Sequence, residues 1–439
     1  MKKGIVALLV IVALIVLISP GLVGRMAEKS VDENLNWAAQ ESGALVVTSE
    51  KFDRGWFSSQ GQHRVQIDDE RLKAMMGSID GAPELGELPV LVIDTRLDHG
   101  LIPFGSMSRE KGSLAPGLGS AVSTLSVELP DGETIDLPGA VYSKVSMGGA
   151  LSSSYLLPAG SMTEDGGTVS WDDTNIDVTT NPSNGKVSFA GNLGTLKVDD
   201  GQDRVQIDGL KFSGHQQPTA FGFATGDIKM ELGAMSVTSN GAPAGGLKYM
   251  NVDASTRVDG NKASGRTRLQ MDSQPVPGFG EISVRADVSV DGANAEALGA
   301  LQKAVKAQGS NPDPSQMLGV VENDVKKLLA SGLELRFDQL DITLPQGTVT
   351  SKLDFKVGEE DVDTFEWTSL LLNTEASASL SVPQGLVDMA MQMNPQAGMA
   401  VSMGFLQQNG DVYEMEAAYK KGLLTINGAP MPIPMGSFQ

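Results

Sequence analysis

The chain has 439 residues, a net charge of −21, no cysteine, 51 glycines and only 5% aromatic residues. Such acidity works against binding nucleic acid, whose phosphates it would repel. The lack of cysteine excludes disulfides, thiol catalysis and thiolate metal sites.

Residues 4–24 carry no charge, and Ile5–Ile18 consists only of Ile, Val, Leu and Ala. About 20 apolar residues at a rise of 1.5 Å cross a hydrocarbon core of about 30 Å. The stretch 1–24 is therefore read as one N-terminal transmembrane anchor. A cleaved signal peptide is the competing reading, disfavoured because Pro20–Gly24 offers no convincing small-x-small cleavage site. Lys2 and Lys3 before the run favour a cytoplasmic N-terminus. The expected location is the bacterial inner membrane, single-pass, with everything after about Arg25 in the periplasm. That exported part lacks only Lys2 and Lys3 and carries −23 against −21 for the whole chain.

Residues 25–43 read as a juxtamembrane helix stopped by Gly43. A β-rich periplasmic region follows over 44–292. Its first two strands, Ala44–Lys51 and one ending in Arg64–Asp68, look like a hairpin around Arg54-Gly55-Trp56-Phe57-Ser58-Ser59. Trp56 and Phe57 are read as pinning the strand to the core, with a seat in the membrane interface as the alternative. From about 90 to 290 strand follows strand. Leu125, Val127 and Leu129 alternate with polar residues, and so do Val187 and Phe189. Period-two alternation means sheets with one apolar face. Arg64–Asp68 recurs as Arg204–Asp208, either by chance or from a duplication of about 140 residues; the poorly matching flanks favour chance.

The stretch 293–331 breaks the pattern as a helical insertion, with helices over Ala293–Gln308 and Pro314–Ala330. Leu318, Val321, Val325 and Leu328 form an apolar stripe that suits packing on a sheet, with a partner surface as the alternative. The C-terminal β-rich region, 332–439, opens with Leu333, Leu335 and Phe337, after which Leu340, Ile342 and Leu344 continue with the phase shifted by one. That slip predicts a β-bulge near Asp338–Gln339. A strand is expected from near Leu370 through Val382, then short helices over Leu386–Met393 and Gln396–Gln407, then a hairpin turned by Lys421-Gly422. Met389, Met393, Met399 and Met403 crowd the short helices as a candidate surface for an apolar ligand or partner, against the plainer reading of adaptable core.

The three histidines, His63, His99 and His215, have no partner at metal-ligand spacing, and no serine-nucleophile or phosphate-loop motif occurs. Paired acids such as Asp172-Asp173 suit turns and solvated edges, because neighbours on a strand point to opposite faces. Asp199–Asp203 suggests calcium but lacks the spaced ligands and distal Glu of a calcium loop. No catalytic residue, cofactor or metal ligand is assigned, and no enzymatic activity is expected.

The anchor followed by Asp53-Arg54-Gly55-Trp56-Phe57-Ser58-Ser59 resembles the YdgA-like family of bacterial envelope proteins. Gly422–Gly428 adds a C-terminal segment close in spacing to that family's Gly-x-Leu-x-x-Asn-Gly pattern. The resemblance implies an inner-membrane protein facing the periplasm, of a family largely without known function. Its layout is also similar to that of AsmA-like envelope proteins, with one anchor and long sheets around an apolar groove. The fold class expected is mainly β, extended antiparallel sheets with a few helices. Two functions stand open. One is a non-enzymatic protein binding lipid or another apolar ligand in envelope maintenance. The other is a scaffold that forms a homodimer or binds envelope proteins.

Overall fold

The computed structural model describes residues 45–54, 58–67, 90–99, 119–129, 132–146, 148–164, 167–181, 183–276, 280–308, 314–394 and 397–431. The expected membrane anchor 1–24 and juxtamembrane helix 25–43 lie outside these residues, as do Gly55, Trp56 and Phe57. Among the described residues no helix is long and apolar enough to cross a membrane. They form 22 strands, five α-helices and one 3-10 turn, so the protein is mainly β. Two compact units can be distinguished, one comprising the described residues up to Pro218 with Val237–Ala242 and a short piece from Lys306, the other the remainder.

In the first unit β1 (Leu45–Arg54) and β2 (Ser58–Ile67) form the hairpin that alternation marks, with an irregularity between Ser49 and Lys51. β3 (Val90–His99), β4 (Gly119–Glu128), β5 (Thr134–Val145) and β6 (Leu151–Leu157) follow as antiparallel neighbours. β6 then pairs with β9 (Thr174–Asn181), β9 with β10 (Lys186–Asp199), and β10 with β11 (Asp203–Pro218). β7 (Gly160–Glu164) and β8 (Gly167–Trp171) prolong the β6–β9 pair without change of register, Leu157 facing Thr174 and Gly160 facing Trp171.

The core of this unit joins six strands. Val65, Leu91, Ile93, Leu125, Val127, Leu137, Tyr155 and Ile176 are all buried in one cluster, with Phe189 and Phe212 packed beside it. Burial of each such side chain stabilises by about 1.5–3 kcal/mol. Tyr155 loses solvent there, which pushes its phenol up to about 12, and its hydroxyl donates to the Pro138 carbonyl at 3.3 Å. Against β4 the chain of β5 bulges through Pro138-Gly139-Ala140, between Leu137 facing Leu125 and Val141 facing Ser123. Gly139 is required in that bulge: its φ is +94°, and a Cβ would sit 2.3 Å from the Leu156 carbonyl oxygen.

The second unit contains β12 (Ala224–Ser239), β13 (Ala242–Asp259), β14 (Lys262–Ser273), β15 (Ser283–Asn294), β16 (Glu334–Leu344), β17 (Gly347–Val357), β18 (Thr374–Pro383), β19 (Gln407–Asn409), β20 (Val412–Lys420), β21 (Leu423–Ile426) and β22 (Ala429–Met431). From β13 to β18 each strand pairs with the next, and β18 pairs with β20. β19 and β21 lie end to end along the far edge of β20. The bulge expected near Asp338 is present: Asp287 faces Gln339 and Val288 faces Phe337, leaving Asp338 as the extra residue.

Helices α1 (Ala295–Gln308) and α2 (Pro314–Ala330) interrupt the meander between β15 and β16. The Asn294 side chain caps α1 by accepting from the Ala297 amide at 3.0 Å. Phe223, Ala263, Ala293 and Ala295 form a small buried cluster there, with Leu298 and Leu328 against it.

The strand expected from near Leu370 begins later. Trp367–Asn373 is helix α3, and β18 starts at Thr374. Tertiary contacts decide this, because the Leu370-Leu371-Leu372 run has no period of its own. Trp367 packs edge-on to Phe365 at 5.8 Å, and its indole N–H reaches Glu322 of α2 at 3.4 Å. The Tyr419 hydroxyl donates to the Leu371 carbonyl at 2.6 Å. The short helices after β18 are α4 (Gln384–Met393) and α5 (Ala397–Ser402), the second shorter than the 396–407 expected.

Candidate functional site

The second unit is sided from edge to edge. Residues facing one another across an antiparallel ladder share a face. The pairings therefore place Val252, Leu269, Ala286, Leu340, Ser351, Leu380 and Met415 in one row across seven strands. A parallel row runs Val288, Phe337, Leu353, Ala378, Ala417, Ile426. Ser351 is the polar member, and its hydroxyl is spent on the Leu340 carbonyl at 2.9 Å. Every residue of both rows is half-buried. Six strand spacings of about 4.8 Å give the first row a span of about 29 Å.

The opposite face is ionic. Arg266 and Arg268 of β14 both bond Asp287 of β15, Arg266 through two nitrogens and Arg268 at 3.1 Å. Arg285 grips Asp272 at 2.9 Å, and Arg336 reaches Asp291 at 2.9 Å. The hydrogen bonds from Arg266 hold the Asp287 carboxyl below the usual range against the opposing effect of burial. Those from Arg285 and Ser283 do the same for Asp272. Two adjoining shallow depressions of about 590 and 610 Å³ lie on this polar side and share Lys352, Ser379 and Glu416. Ser377, Ser379 and Ser381 alternate along β18 there, and Asp354, Glu414 and Glu416 outnumber Lys352. These hollows are polar and open; the chemically unusual surface is the half-covered apolar one behind them.

The sequence-marked Met residues end up in different settings. Met389 is half-buried on α4, whereas Met393, Met399 and Met403 are 73%, 53% and 63% exposed. α4 packs against β18 and β20 and touches α5. Of the N-terminal signature, Arg54 ends β1, Ser58 and Ser59 open β2, and Ser59 is buried. Gly55, Trp56 and Phe57 fall outside the described residues.

The C-terminal signature has a physical explanation at Asn427. Its φ is +49°, and its side chain bridges three segments. The amide oxygen accepts from the Glu416 backbone N–H at 2.8 Å. The amide nitrogen donates to the carbonyls of Gly404 and Phe405 at 2.9 and 3.1 Å. Asn427 thus fills the gap between β19 and β21 along the edge of β20, and Asn tolerates the left-handed backbone better than most residues.

The acidic run that hinted at calcium is a hairpin turn. Asp199 accepts from the Gly201 amide at 2.9 Å and from Arg204 at 2.8 Å, which together hold its carboxyl below the usual range. Asp200 accepts from the Gln202 and Asp203 amides at 3.0 and 2.6 Å. Asp172 and Asp173, expected in a turn or at an edge, instead repair a break inside the sheet. Asp172 accepts from the Thr195 amide at 3.2 Å and Asp173 from the Ala159 amide at 2.7 Å. Among the described residues no three His, Asp or Glu side chains are grouped to hold a metal ion.

Residues 1–434 match the family described as bacterial protein of unknown function (DUF945), and the chain belongs to that family. No curated protein and no solved structure matches it.

Proposed function

We propose that this bacterial protein is a non-enzymatic envelope protein, tethered to the inner membrane by residues 4–24, that lays an elongated apolar ligand along the apolar face of β13–β21. The ligand class favoured is a lipid acyl chain. One observation carries the reading: the row through Leu340 crosses seven strands and the row through Phe337 six, yet none of their residues is fully buried. Soluble proteins seldom leave a continuous apolar surface uncovered without a use for it. Covering about 300 Å² of such surface contributes on the order of 7 kcal/mol. A row of about 29 Å also exceeds the ~15 Å that the chains of one bilayer leaflet span. The resemblance to YdgA-like and AsmA-like envelope proteins supports the same assignment.

The test is solvent extraction of the purified full chain followed by mass spectrometry. Lipid is expected in near-stoichiometric amount, and Leu353→Glu in the middle of the face is expected to leave the protein folded but empty. A wild-type protein that is empty in every preparation would sink the reading.

A scaffold role, as a homodimer or with another envelope protein, has separate support. Leu372 and Leu423 are 62% and 55% exposed, and the Leu372 side chain lies 3.8 Å from the position of a Cβ on Gly422, beside Leu423. Light scattering of the Leu423→Glu variant checks it: an unchanged mass would exclude this patch as the interface.

A further inference from the structure

Residues 389–410 contain no charged residue, in a chain whose net charge is −21. Asp388 and Asp411 bound the stretch, which holds most of α4 and all of α5. The two helices meet where the Met391 sulfur lies 3.5 Å from the point a Cβ on Gly398 would occupy. Met393, two residues further on, stands about 200° around α4 from that contact. It is 73% exposed, and Met399 and Met403 are 53% and 63% exposed. Met393 ends α4 and Met399 lies in the first turn of α5, so this pair flanks the connection between the helices.

The helix pair sits at one rim of the apolar face. Val382 and Tyr413 face each other on the side of the sheet that carries Leu380 and Met415, and Tyr413 is buried. Gln408 faces Tyr413, and its side-chain amide donates to the Gln384 side chain at 3.2 Å, where α4 begins. Val387 of α4 is buried as well. α4 therefore starts on the apolar side, one step along the strands from the row through Leu340.

Packing accounts for Val387 and the half-buried Met391, and leaves Met393, Met399 and Met403 in water. A bilayer surface containing anionic lipid repels the acidic remainder of the chain. A segment without carboxylates escapes that repulsion, and apolar side chains on an uncharged helical surface suit the boundary between headgroups and acyl chains. The unbranched thioether side chain also adapts to irregular apolar surroundings.

We propose that the α4–α5 pair docks on a lipid bilayer, with Met393 and Met399 entering the headgroup–acyl boundary, so that this rim of the apolar face opens onto the membrane. The inference rests on the lipid reading for what docking serves, and its test reads docking alone.

The chain has no cysteine, so one introduced thiol carries one dye. Met399→Cys and, as control, Ser379→Cys, exposed on the polar side of β18, each take an environment-sensitive nitrobenzoxadiazole dye. The full chain is reconstituted into phosphatidylcholine–phosphatidylglycerol vesicles with and without nitroxide-labelled lipid. The dye at Met399→Cys is expected to shift to the blue and to be quenched by the nitroxide lipid, and the dye at Ser379→Cys to do neither. With the dye at Met403→Cys, adding Met393→Glu and Met399→Glu is expected to abolish quenching while the thermal midpoint stays unchanged. Equal responses at Met399→Cys and Ser379→Cys, or quenching that survives the two glutamates, would overturn the proposal. A blue shift without nitroxide quenching would overturn it too, because a protein surface then covers the pair. An unquenched dye on a chain that carries lipid sinks docking and leaves the lipid reading standing; a quenched dye on an empty chain does the reverse.

Discussion

The two units are built from the same alternation of apolar and polar residues and use it differently. In the first, Val65, Leu91, Ile93, Leu125 and Val127 are between 0% and 6% exposed and meet in one cluster. In the second, the equivalent row from Val252 to Met415 contains no buried member. Buried apolar residues there gather at the ends of the sheet, around Ala263, Val357 and Tyr413. Alternation shows that a strand has an apolar side but not what covers it. The contrast predicts unequal costs for the same substitution. Leu125→Ala opens a cavity in a filled core and is expected to destabilise by about 3 kcal/mol. Leu353→Ala removes a side chain already half in water and is expected to cost about 1 kcal/mol. Denaturant unfolding of both variants measures this, and equal losses would break the distinction between a filled and an open unit.

A unit with little buried core leans on its junctions, and Asn427 is the sharpest example. Asn427→Ala removes three hydrogen bonds to backbone groups and puts a less tolerant residue at φ +49°. The expected loss is about 2 kcal/mol. Asn427→Gly keeps the backbone conformation and loses only the bonds, so it divides the cost between the two causes. Faster amide exchange across β19 and β21 in both variants is the accompanying readout. If Asn427→Gly unfolds like the wild type, the bridging bonds contribute nothing and the C-terminal signature needs another explanation.

Much of the fold was legible because the strands carry one-sided patterns. The first hairpin, both long helices and the Asp338 bulge follow from periodicity and its single slip. What periodicity could not convey was register. Leu340 and Leu380 look alike in sequence, and only pairing through Ser351 puts them in one row. Side-chain substitutes for the ladder were also hidden. Asp172-Asp173 reads as a turn because acids favour turns, whereas here the carboxylates take over bonds that a broken strand has dropped. Helix α3 was misread since its stability resides in Glu322, Phe365 and Tyr419, far away in the chain. The candidate apolar face was anticipated as a kind of surface, but its location required the pairing of seven strands.

The ionic side of the second unit gives the smallest effect and a directional one. Asp287 is the most enclosed carboxylate of the arginine ladder, its side chain 17% exposed between Arg266 and Arg268. Its folded-state pKa lies below the ordinary aspartate value, first because Arg266 donates to it. A depressed carboxyl stabilises the fold above its unfolded pKa, and that contribution is lost as pH falls through the lower, folded value. The ladder's support is therefore intact from neutrality down to about pH 4 and fades below it. Arg266 and Arg268 remain exposed to water, so Asp287→Asn is expected to cost about 1 kcal/mol or less at neutral pH. Once the pH has fallen below that lowered folded value the variant and the wild type are expected to converge, since protonation has then removed the same charge. The cluster around Val65 and Val127 is apolar and has no such dependence. Hydrogen exchange at pH 3 compared with pH 6, corrected for intrinsic rates, is thus expected to loosen β14 and β15 more than β3 and β4. Equal loosening of both pairs would mean that the ladder is decoration on a sheet held by its other face.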